Sequence, residues 1–440
     1  MLKAFLNLFR VPELRKRLLF TLGAIFVFRL GAQIPVPGVN LAALFEATKH
    51  NAGNTFADFL NLFSGGAKEN ASIFSLGVMP YITSTIIMQL LTAVVPSLSK
   101  MMKEGPEGRK KFQQYGRLGA VLVSLIQGVI YGQGMVADSR NGGNFISIDY
   151  SLFVILFTLA VTAGTLTLMW MGEQITERGI GNGVSMIIMA GIVARLPHAV
   201  FNLFAGIDKG AMDPMNIVII LTIFFVVIGL VVFEEQGLRK IPIQYANRSM
   251  GGTSHAGQVS YLPFKVNPTG VIPIIFASSF LTFPAQIAQW FGGKNEILNA
   301  VSNAMHPGKF WYSIVYLGMI LFFAYFYMEI QLNPHDIAEN LRKSGGFIPG
   351  IRPGQQTEEY IQFVLSRITL PGAIFLGVIA IMPNIVINML NVPSNLGYLM
   401  GGTSLLIMVG VSLDTLKQME SHLLMHHMDG FLTRKPLKKQ

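Results

Sequence analysis

The chain has 440 residues, of which 51% are hydrophobic and 13% are charged, and its formal net charge is +10. A charged fraction about half that of a typical soluble domain, together with a positive mean hydropathy, indicates a protein that crosses the membrane several times. The absence of cysteine excludes disulfides, thiolate chemistry and cysteine-ligated metals.

Apolar runs long enough to span a bilayer recur along the chain, since a helix needs about 20 mostly apolar residues to cross the hydrocarbon core. The first run follows basic residues and has no small-residue cleavage site after it, which favours a retained span over a removed signal peptide. Ten spans are predicted, at Leu18–Ile34, Ile73–Val95, Leu118–Val136, Leu152–Met171, Val184–Phe204, Ile217–Phe233, Gly270–Phe291, Phe310–Leu332, Phe363–Leu390 and Leu396–Leu416.

Lysine and arginine are distributed unevenly between the segments that join these spans. With the N-terminus in the cytosol, 25 of them fall on the cytosolic side and seven on the outer side, while Arg29 lies inside the first span. Because cytosolic segments carry the excess of positive charge, both termini are predicted to be cytosolic.

The predicted spans divide into two halves of five. The N-terminal half, 1–212, begins with an amphipathic stretch, and the C-terminal half, 213–440, contains large cytosolic loops at 234–269 and 333–362 and a basic tail. Since five is odd, the second half would run inverted relative to the first, which is a recurrent architecture of proteins that open a path through the membrane.

A short apolar stretch, Phe56–Phe63, lies between the first two spans, ends at Ser64-Gly65-Gly66 and is followed by polar residues. It is too short to cross the bilayer and can lie at membrane depth only inside a protein-lined cavity. The glycines and the polar linker predict flexible ends. On the residues alone, an amphipathic helix on the outer membrane surface is the alternative.

Catalytic and cofactor motifs are missing from the sequence. There is no G-x-x-x-x-G-K-S/T phosphate loop. In GIGNG at Gly179–Gly183 the third glycine of a dinucleotide loop is out of register, because Val184 stands at its position, and no strand precedes the motif. No histidine pair stands at ligand spacing within a span, and no serine-hydrolase or zinc-protease motif occurs. We therefore expect no enzymatic activity, no cofactor and no metal.

Charged residues are rare inside the spans, unlike in ion-coupled transporters. The deep Arg29 is expected to snorkel to the outer interface or to pair with a carbonyl. Weakly polar side chains occur in spans two, three and seven, and because each needs a partner in lipid they should face other helices or a wet cavity. They are typical either of ordinary contacts between helices or of a gated interface.

Several long motifs resemble one known family. Ser72–Leu91 (SIFSLGVMPYITSTIIMQLL) and Trp170–Ile188 (WMGEQITERGIGNGVSMII) resemble the two signature segments of the SecY family, which forms the central channel of the bacterial Sec protein translocon. FSGGA, GVIPIIFASS, KSGGFIPGIRPG and GGTSLLI follow the same pattern in the same order, so the resemblance covers essentially the whole chain. It implies an all-α clamshell of two five-helix halves around a central pore, with the half-helix at about 56–66 as a plug.

The resemblance also implies roles for individual residues. The pore ring would consist of Val78, Ile82, Val184, Ile188, Ile275 and Ile407, and the plug of Phe56, Phe59, Leu60, Leu62, Phe63, Ser64, Gly65 and Gly66. The lateral gate would include Gln89, Gln127, Ser278, Ser279 and Thr282, and a motor or ribosome would dock on Arg239, Lys240, Arg248 and Arg352. Taken singly, each ring residue is more typical of core packing, and positive-inside topology alone puts lysine and arginine in the cytosolic loops.

The expected function is that of a protein-conducting channel subunit in the cytoplasmic membrane. It would pass unfolded secretory chains outward and release transmembrane segments sideways into the lipid bilayer. The implied partners are the small subunits SecE and SecG, the SecA ATPase motor, the ribosome and precursors that carry signal sequences. Two alternatives are an inverted-repeat transporter for a small solute, against which the scarcity of mid-membrane acids counts, and an intramembrane enzyme, which would need a catalytic constellation.

Overall fold

The computed structural model describes residues 11–50, 64–208, 214–245, 260–291, 309–390 and 402–432, with the backbone alone at 48–50, 103, 141–142, 202–208, 282–291, 388–390 and 424–432. Over these residues the protein is mostly helical. The elements before the first strand are α1 (Pro12–Gly31), α2 (Leu41–His50), α3 (Met79–Val94), α4 (Pro96–Lys103), α5 (Pro106–Asp138), α6 (Tyr150–Arg178), α7 (Gly183–Asp208) and α8 (Pro214–Gln236). They are followed by β1 (Leu238–Tyr245), β2 (Ser260–Lys265), α9 (Ile272–Phe291), α10 (Phe310–Gln331), α11 (Pro334–Lys343), β3 (Gly346–Phe347), α12 (Gln355–Leu390) and α13 (Gly402–Leu432).

Six helices among the described residues are long and apolar enough to cross a membrane. They are Pro106–Asp138, Tyr150–Arg178, Gly183–Phe201, Pro214–Gln236, Phe310–Lys343, which joins α10 and α11, and Gln355–Ile387. A seventh span results if α3 and α4, which meet at an angle of 108°, are taken together, and α9 contributes a shorter apolar stretch, Ile272–Leu281. The chain is therefore a multi-pass membrane protein.

Proline and aspartate account for several helix starts. Pro96 and Pro106 are the first residues of α4 and α5, where the missing N–H has no intrahelical partner to lose. Val95, which precedes Pro96, is extended, so the proline also explains the sharp bend between α3 and α4. At the start of α6 the Asp149 carboxylate accepts hydrogen bonds from the backbone N–H groups of Ser151 and Leu152.

The second predicted span begins later than hydropathy indicates. The apolar run starts at Ile73, but residues 73–78 form turns and α3 begins at Met79. Gly77 has a φ of +58°, which interrupts the helix. A Cβ on Gly164 of α6 would collide with the Ile73 carbonyl, so the turn packs directly on the backbone of α6. The first helix likewise ends at Gly31, three residues before the predicted end of its span.

The chain divides into two compact units. Unit 1 comprises Met1–Ile217, Val392–Met400 and Ile407–Gln440, and unit 2 comprises Val218–Asn391 and Gly401–Leu406.

In unit 1, α5 lies between α3 and α6, while α1 packs on α6 and α7. Isolated bridges pair Pro35 with Ser72 and Val39 with Ile146, which ties the loop after α1 to the segments before α3 and α6. Beneath these loops lies an apolar core made by Val36, Leu44, Ala71, Met135, Val136, Phe145, Ile146, Phe153, Phe157 and Val161.

In unit 2, the three strands form an antiparallel sheet of order β2-β1-β3. Strand β1 pairs with β2 through Ile241 opposite Leu262, and with β3 through Gln244 opposite Phe347. Alternate β1 residues are buried, as expected for a strand with one face on a core. That core contains Ile241, Ile243, Phe264, Met328, Ala338, Leu341, Ile348, Ile361 and Leu365.

Candidate functional site

Two of the predicted ring residues lie at the start of α3. Val78 is the residue immediately before the helix and is 1% exposed, while Ile82 is 6% exposed. The Ile82 N–H donates to the Val78 carbonyl at 3.1 Å, so the two side chains are one helical turn apart. Residues four apart share a face of a helix, which places Val78 and Ile82 on the same side of α3.

Two more ring residues share a face at the start of α7. Ile188 is 1% exposed and Val184 is half-buried. A Cβ on Gly172 of α6 would lie 3.1 Å from Val184 Cγ2, so the glycine leaves the space that the valine fills. A side chain at position 172 would therefore displace Val184.

The remaining ring residues are Ile275 in unit 2, which is 5% exposed, and Ile407 in unit 1, which is fully buried. Burial of an aliphatic side chain is expected both of a closed apolar ring and of ordinary core packing. The ring therefore stays a prediction.

The glycine-rich loop between α6 and α7 has its backbone donors occupied by the protein itself. The N–H groups of Ile180, Gly181 and Gly183 donate to Thr21 Oγ1 at 3.1 Å, Gln418 Oε1 at 2.8 Å and Thr176 Oγ1 at 2.9 Å. A phosphate-binding loop needs such donors directed at its ligand. Here they join α1, α6 and α13 of unit 1 at one point, which fits the prediction that GIGNG does not bind nucleotide.

Of the predicted plug residues, Phe56, Phe59, Leu60, Leu62 and Phe63 lie outside the described residues. Ser64 is buried, and Gly65 and Gly66 have φ angles of +64° and +88°, which favour glycine. The guanidinium of Arg29 donates from Nη1 to the Gly65 carbonyl at 2.8 Å. The expectation that Arg29 pairs with a backbone carbonyl is confirmed.

A second arginine in a predicted span was overlooked by the sequence reasoning. Arg195, counted with the outer segments in the charge distribution, lies within α7 and pairs with Glu69. It lies near enough to Arg29 for the two positive charges to repel. Its position inside the apolar run Val184–Phe204 is the signal that would have identified it.

Three of the five predicted gate residues, Gln127, Ser278 and Ser279, are buried polar residues. Gln127 of α5 is 8% exposed, beside Gly128, where α5 and α6 approach closely enough that a Cβ on Gly128 would lie 3.2 Å from Thr158 Cα. In unit 2 the hydroxyls of Ser278 and Ser279 donate to the Ile275 carbonyl at 2.9 and 2.7 Å.

The other two gate residues are described less fully. Gln89 is half-buried on α3, and its Oε1 accepts no hydrogen bond from any residue that the structure describes. The side chain of Thr282 lies outside the described part of the chain. The gate assignment as a whole stays a prediction.

Three of the four predicted docking residues are exposed on the sheet-bearing part of unit 2. Arg239 and Lys240 lie on β1, and Arg352 follows β3 in the loop that leads to α12. Because β1 pairs with β3, the predicted cytosolic loops 234–269 and 333–362 contribute strands to one sheet. Arg248 lies outside the described residues.

The Arg352 loop has a defined backbone. Gly350 and Gly354 flank it with φ angles of +83° and +108°, and the Thr357 hydroxyl donates to the Arg352 carbonyl at 2.9 Å. An exposed guanidinium on a fixed loop is suited to contact an acidic partner. The docking role itself stays a prediction.

The chain matches the SecY family model over residues 72–416. Three protein translocase subunits SecY are similar over nearly their whole length: from Vibrio cholerae (43% identical, 97% of this chain and 96% of the relative), Streptomyces scabiei (44%, 98% and 100%) and Escherichia coli strain K12 (42%, 97% and 95%).

Solved structures support the fold. "The structure of a protein conducting channel" is similar with a TM-score of 0.67 and 19% identity, over 95% of this chain and 96% of that one. Sec61 in the canine ribosome-channel complex is similar with a TM-score of 0.61 and 16% identity, over 95% and 96%. The family is one of protein-conducting channels and not of enzymes. This multi-pass membrane protein belongs to the SecY family of protein translocase subunits.

Proposed function

We propose that this chain forms the pore through which unfolded secretory polypeptides cross the cytoplasmic membrane, and that it releases transmembrane segments sideways into lipid. The observation that carries the proposal is the likeness of nearly the whole chain to translocase subunits. In this proposal, ten spans form two inverted halves, 1–212 and 213–440, and both termini face the cytosol. The excess of positive charge in the cytosolic segments supports that orientation.

The pore would be closed by an apolar ring and a plug. Val78, Ile82, Val184, Ile188, Ile275 and Ile407 are aliphatic, and an apolar constriction excludes ions by dewetting while it remains deformable. Two of the six are valines, which makes the ring slightly wider than one of isoleucine alone. The half-helix at about 56–66 would fill the outer side of the closed pore.

The lateral gate would separate α3 and α5 from α9 and α10. Gln127, Ser278 and Ser279 are buried and Gln89 is half-buried within helices of these two sets, where each polar group prefers a partner to lipid. A signal sequence is itself an apolar helix and could replace such contacts as it moves into the bilayer.

Movement would be driven by partners, because the sequence has no phosphate-binding loop. The exposed basic residues Arg239, Lys240 and Arg352 would bind the SecA motor or the ribosome, whose RNA phosphates attract positive charge. The ribosome-bound Sec61 and Ssh1 complexes have the same fold and support a ribosome contact. SecE and SecG would complete the membrane complex.

The test is reconstitution of the complete membrane complex into proteoliposomes with SecA, ATP and a precursor that carries a signal sequence. We expect the precursor to become protected from external protease only when ATP is present. The matched control is the same precursor without its signal sequence, which should stay accessible. Uptake of small solutes without any protection of the precursor would contradict the proposal and favour a solute transporter.

A further inference from the structure

The segment Ser64–Ala71, which contains the last three predicted plug residues and the polar residues that follow them, contacts several other parts of unit 1. The sequence predicts a flexible linker here, but the backbone of this segment forms hydrogen bonds along its length. The Ser72 N–H donates to the Ala67 carbonyl at 3.0 Å, and the Val36 N–H donates to the Ala71 carbonyl at 2.9 Å. Ala67 and Ala71 are fully buried. A segment bonded in this way has lost the freedom that its composition indicates.

On one side, the segment is wedged between α1 and α7. A Cβ on Gly65 would lie 2.7 Å from the Cα of Gly191 on α7 and 3.2 Å from Nη1 of Arg29 on α1. The backbones of Gly65 and Gly191 are therefore in direct contact. Arg29 holds Gly65 from the side of α1 through its hydrogen bond to the Gly65 carbonyl. A charge-assisted hydrogen bond of this kind is stronger than one between neutral groups.

Side chains of the same segment reach three different helices or their loops. Glu69 pairs with Arg195 of α7, and the Lys68 ammonium lies over the ring of Tyr131 of α5, 4.9 Å from its centroid. The Asn70 amide donates to the Ala32 carbonyl at 3.3 Å and to Gln33 Oε1 at 3.1 Å. Each contact ties the segment to a different part of unit 1.

The Glu69–Arg195 pair has an additional electrostatic role. Arg195 and Arg29 lie near enough to repel each other, and both approach the same segment. The Glu69 carboxylate supplies a negative charge beside them. The side chains of Arg195 and Glu69 are 22% and 43% exposed, so water screens the pair only in part.

We propose that Arg29 and Arg195 are positioning residues that clamp Ser64–Ala71 against α1 and α7. The segment would then be a fixed attachment point for the plug and not a flexible linker. Arg29 holds the backbone at Gly65, and Arg195 holds the side chain of Glu69. The link to the plug rests on the proposed function, whereas the clamp itself concerns only contacts within unit 1.

The absence of cysteine gives a direct test of the clamp. A single cysteine in place of the buried Ala67 reports exposure of the segment to a membrane-impermeant maleimide, in vesicles that contain the complete complex. We expect Glu69→Arg and Arg195→Glu each to raise the labelling rate about tenfold, because attraction is replaced by repulsion. The double variant, in which the charges are exchanged, should return the rate to within about threefold of the parent, since the pair is restored.

Arg29 is tested in the same reporter background. Arg29→Met removes the donor to the Gly65 carbonyl and should also raise labelling, whereas Arg29→Lys keeps a charged donor and should restore part of the protection. Arg178→Glu, at an exposed arginine at the end of α6, is the matched control and should leave labelling unchanged. A second reporter at Ala120, which is fully buried on α5, should stay protected in every variant, which separates local release from misfolding.

The outcomes distinguish the clamp from the proposed function. Unchanged labelling of position 67 in both single reversals, or failure of the exchanged pair to restore protection, would overturn the clamp. Ion leak through the same vesicles is the second readout, and we expect it to rise together with labelling. Labelling that rises without leak would leave the clamp standing and contradict the plug assignment.

Discussion

At the scale of single residues, the exposed Arg352 connects the fold to the proposed motor contact. Gly350 and Gly354 fix its loop through φ angles that other residues rarely adopt, so the guanidinium is presented from a rigid support. Arg352→Glu replaces an attractive charge by a repulsive one at the predicted docking surface. We expect motor-driven translocation to fall about tenfold, because reversing a charge at an interface weakens the attraction between the partners.

The measurement is the initial rate of precursor protection in proteoliposomes, with the thermal unfolding midpoint as a check on folding. Lys309→Glu, at an exposed lysine before α10, is the matched control and should translocate at the parent rate. Normal translocation by Arg352→Glu would refute the role of this residue.

Gly164 shows how a single missing side chain positions the start of α3. Any Cβ there would collide with the Ile73 carbonyl, which is backbone and cannot move away cheaply. Gly164→Val should lower the free energy of unfolding by about 1–3 kcal/mol, the usual cost of overpacking. Thermal unfolding of the purified protein in detergent measures the change.

Gly134→Ala is the comparison for Gly164. This glycine is exposed on α5, and a Cβ there would have open space around it. Its replacement should leave stability unchanged or raise it by up to about 1 kcal/mol, because alanine is the better helix former. Equal effects of the two substitutions would show that the packing of Gly164 on Ile73 does not contribute to the free energy of unfolding.

Sequence reasoning at this scale succeeded where a residue's chemistry demanded a partner, and failed where the partner was remote. An arginine inside an apolar span needs an acceptor, so a carbonyl contact of Arg29 could be predicted. The acceptor, Gly65, is 36 residues away, and only the fold brings the two together. Arg195 was overlooked because it was counted with the outer segments, although it lies in the middle of the apolar run Val184–Phe204, where it pairs with Glu69.

At the scale of elements, hydropathy located apolar runs but not all of their helical boundaries. It placed the start of the second span at Ile73, yet the turn at residues 73–78 is as apolar as the helix that follows. The signal was Gly77, whose positive φ interrupts the run. The bend at Pro96, in contrast, could be predicted, because the residue before a proline avoids the helical region.

The half-helix before the clamp is the element whose removal should have the clearest effect. Deletion of Phe56–Gly66 takes away the predicted plug together with the Gly65 carbonyl to which Arg29 donates. We expect ion conductance of the resting channel to rise while translocation of precursors continues, because the aliphatic ring would remain as a leaky barrier. Planar-bilayer conductance and protease protection measure the two effects, and an unchanged conductance would count against the plug.

A matched deletion separates loss of the plug from shortening of the loop. Removal of the equally long stretch 246–256 from the predicted cytosolic loop 234–269 leaves the outer side intact and should not raise conductance. A similar rise in both variants would mean that the leak reflects general destabilisation.

At the scale of the whole molecule, composition alone indicates a multi-pass membrane protein, and the motifs indicate the SecY family, to which the chain belongs. The number of membrane spans is harder to predict than the family. Ten apolar runs are predicted, while six helices of the described residues qualify as spans, or seven with the bent pair α3 and α4. One difference is the bend between α3 and α4, and another is α9, of which only Ile272–Leu281 enters the count. The predicted span Leu396–Leu416 begins outside the described residues.

Whether α9 crosses the membrane decides whether the C-terminal half has the five spans that two matching inverted halves require. Between Gln113 on α5 and Gln356 on α12, the helices α5, α6, α7, α8 and α10 provide five crossings, and α9 would provide a sixth. Six crossings put Gln113 and Gln356 on the same side of the membrane, whereas five put them on opposite sides. Both residues are exposed, and the absence of native cysteine allows each to be replaced by a single reporter cysteine.

We expect a membrane-impermeant maleimide to label neither Gln113→Cys nor Gln356→Cys in spheroplasts until the membrane is permeabilised, because the positive charges around both sites keep them cytosolic. Ser151→Cys, exposed at the start of α6 on the predicted outer side, is the control and should be labelled without permeabilisation. Labelling of Gln356→Cys in intact spheroplasts would show that α9 does not cross, which would leave an odd number of spans between the two sites and contradict the inverted halves.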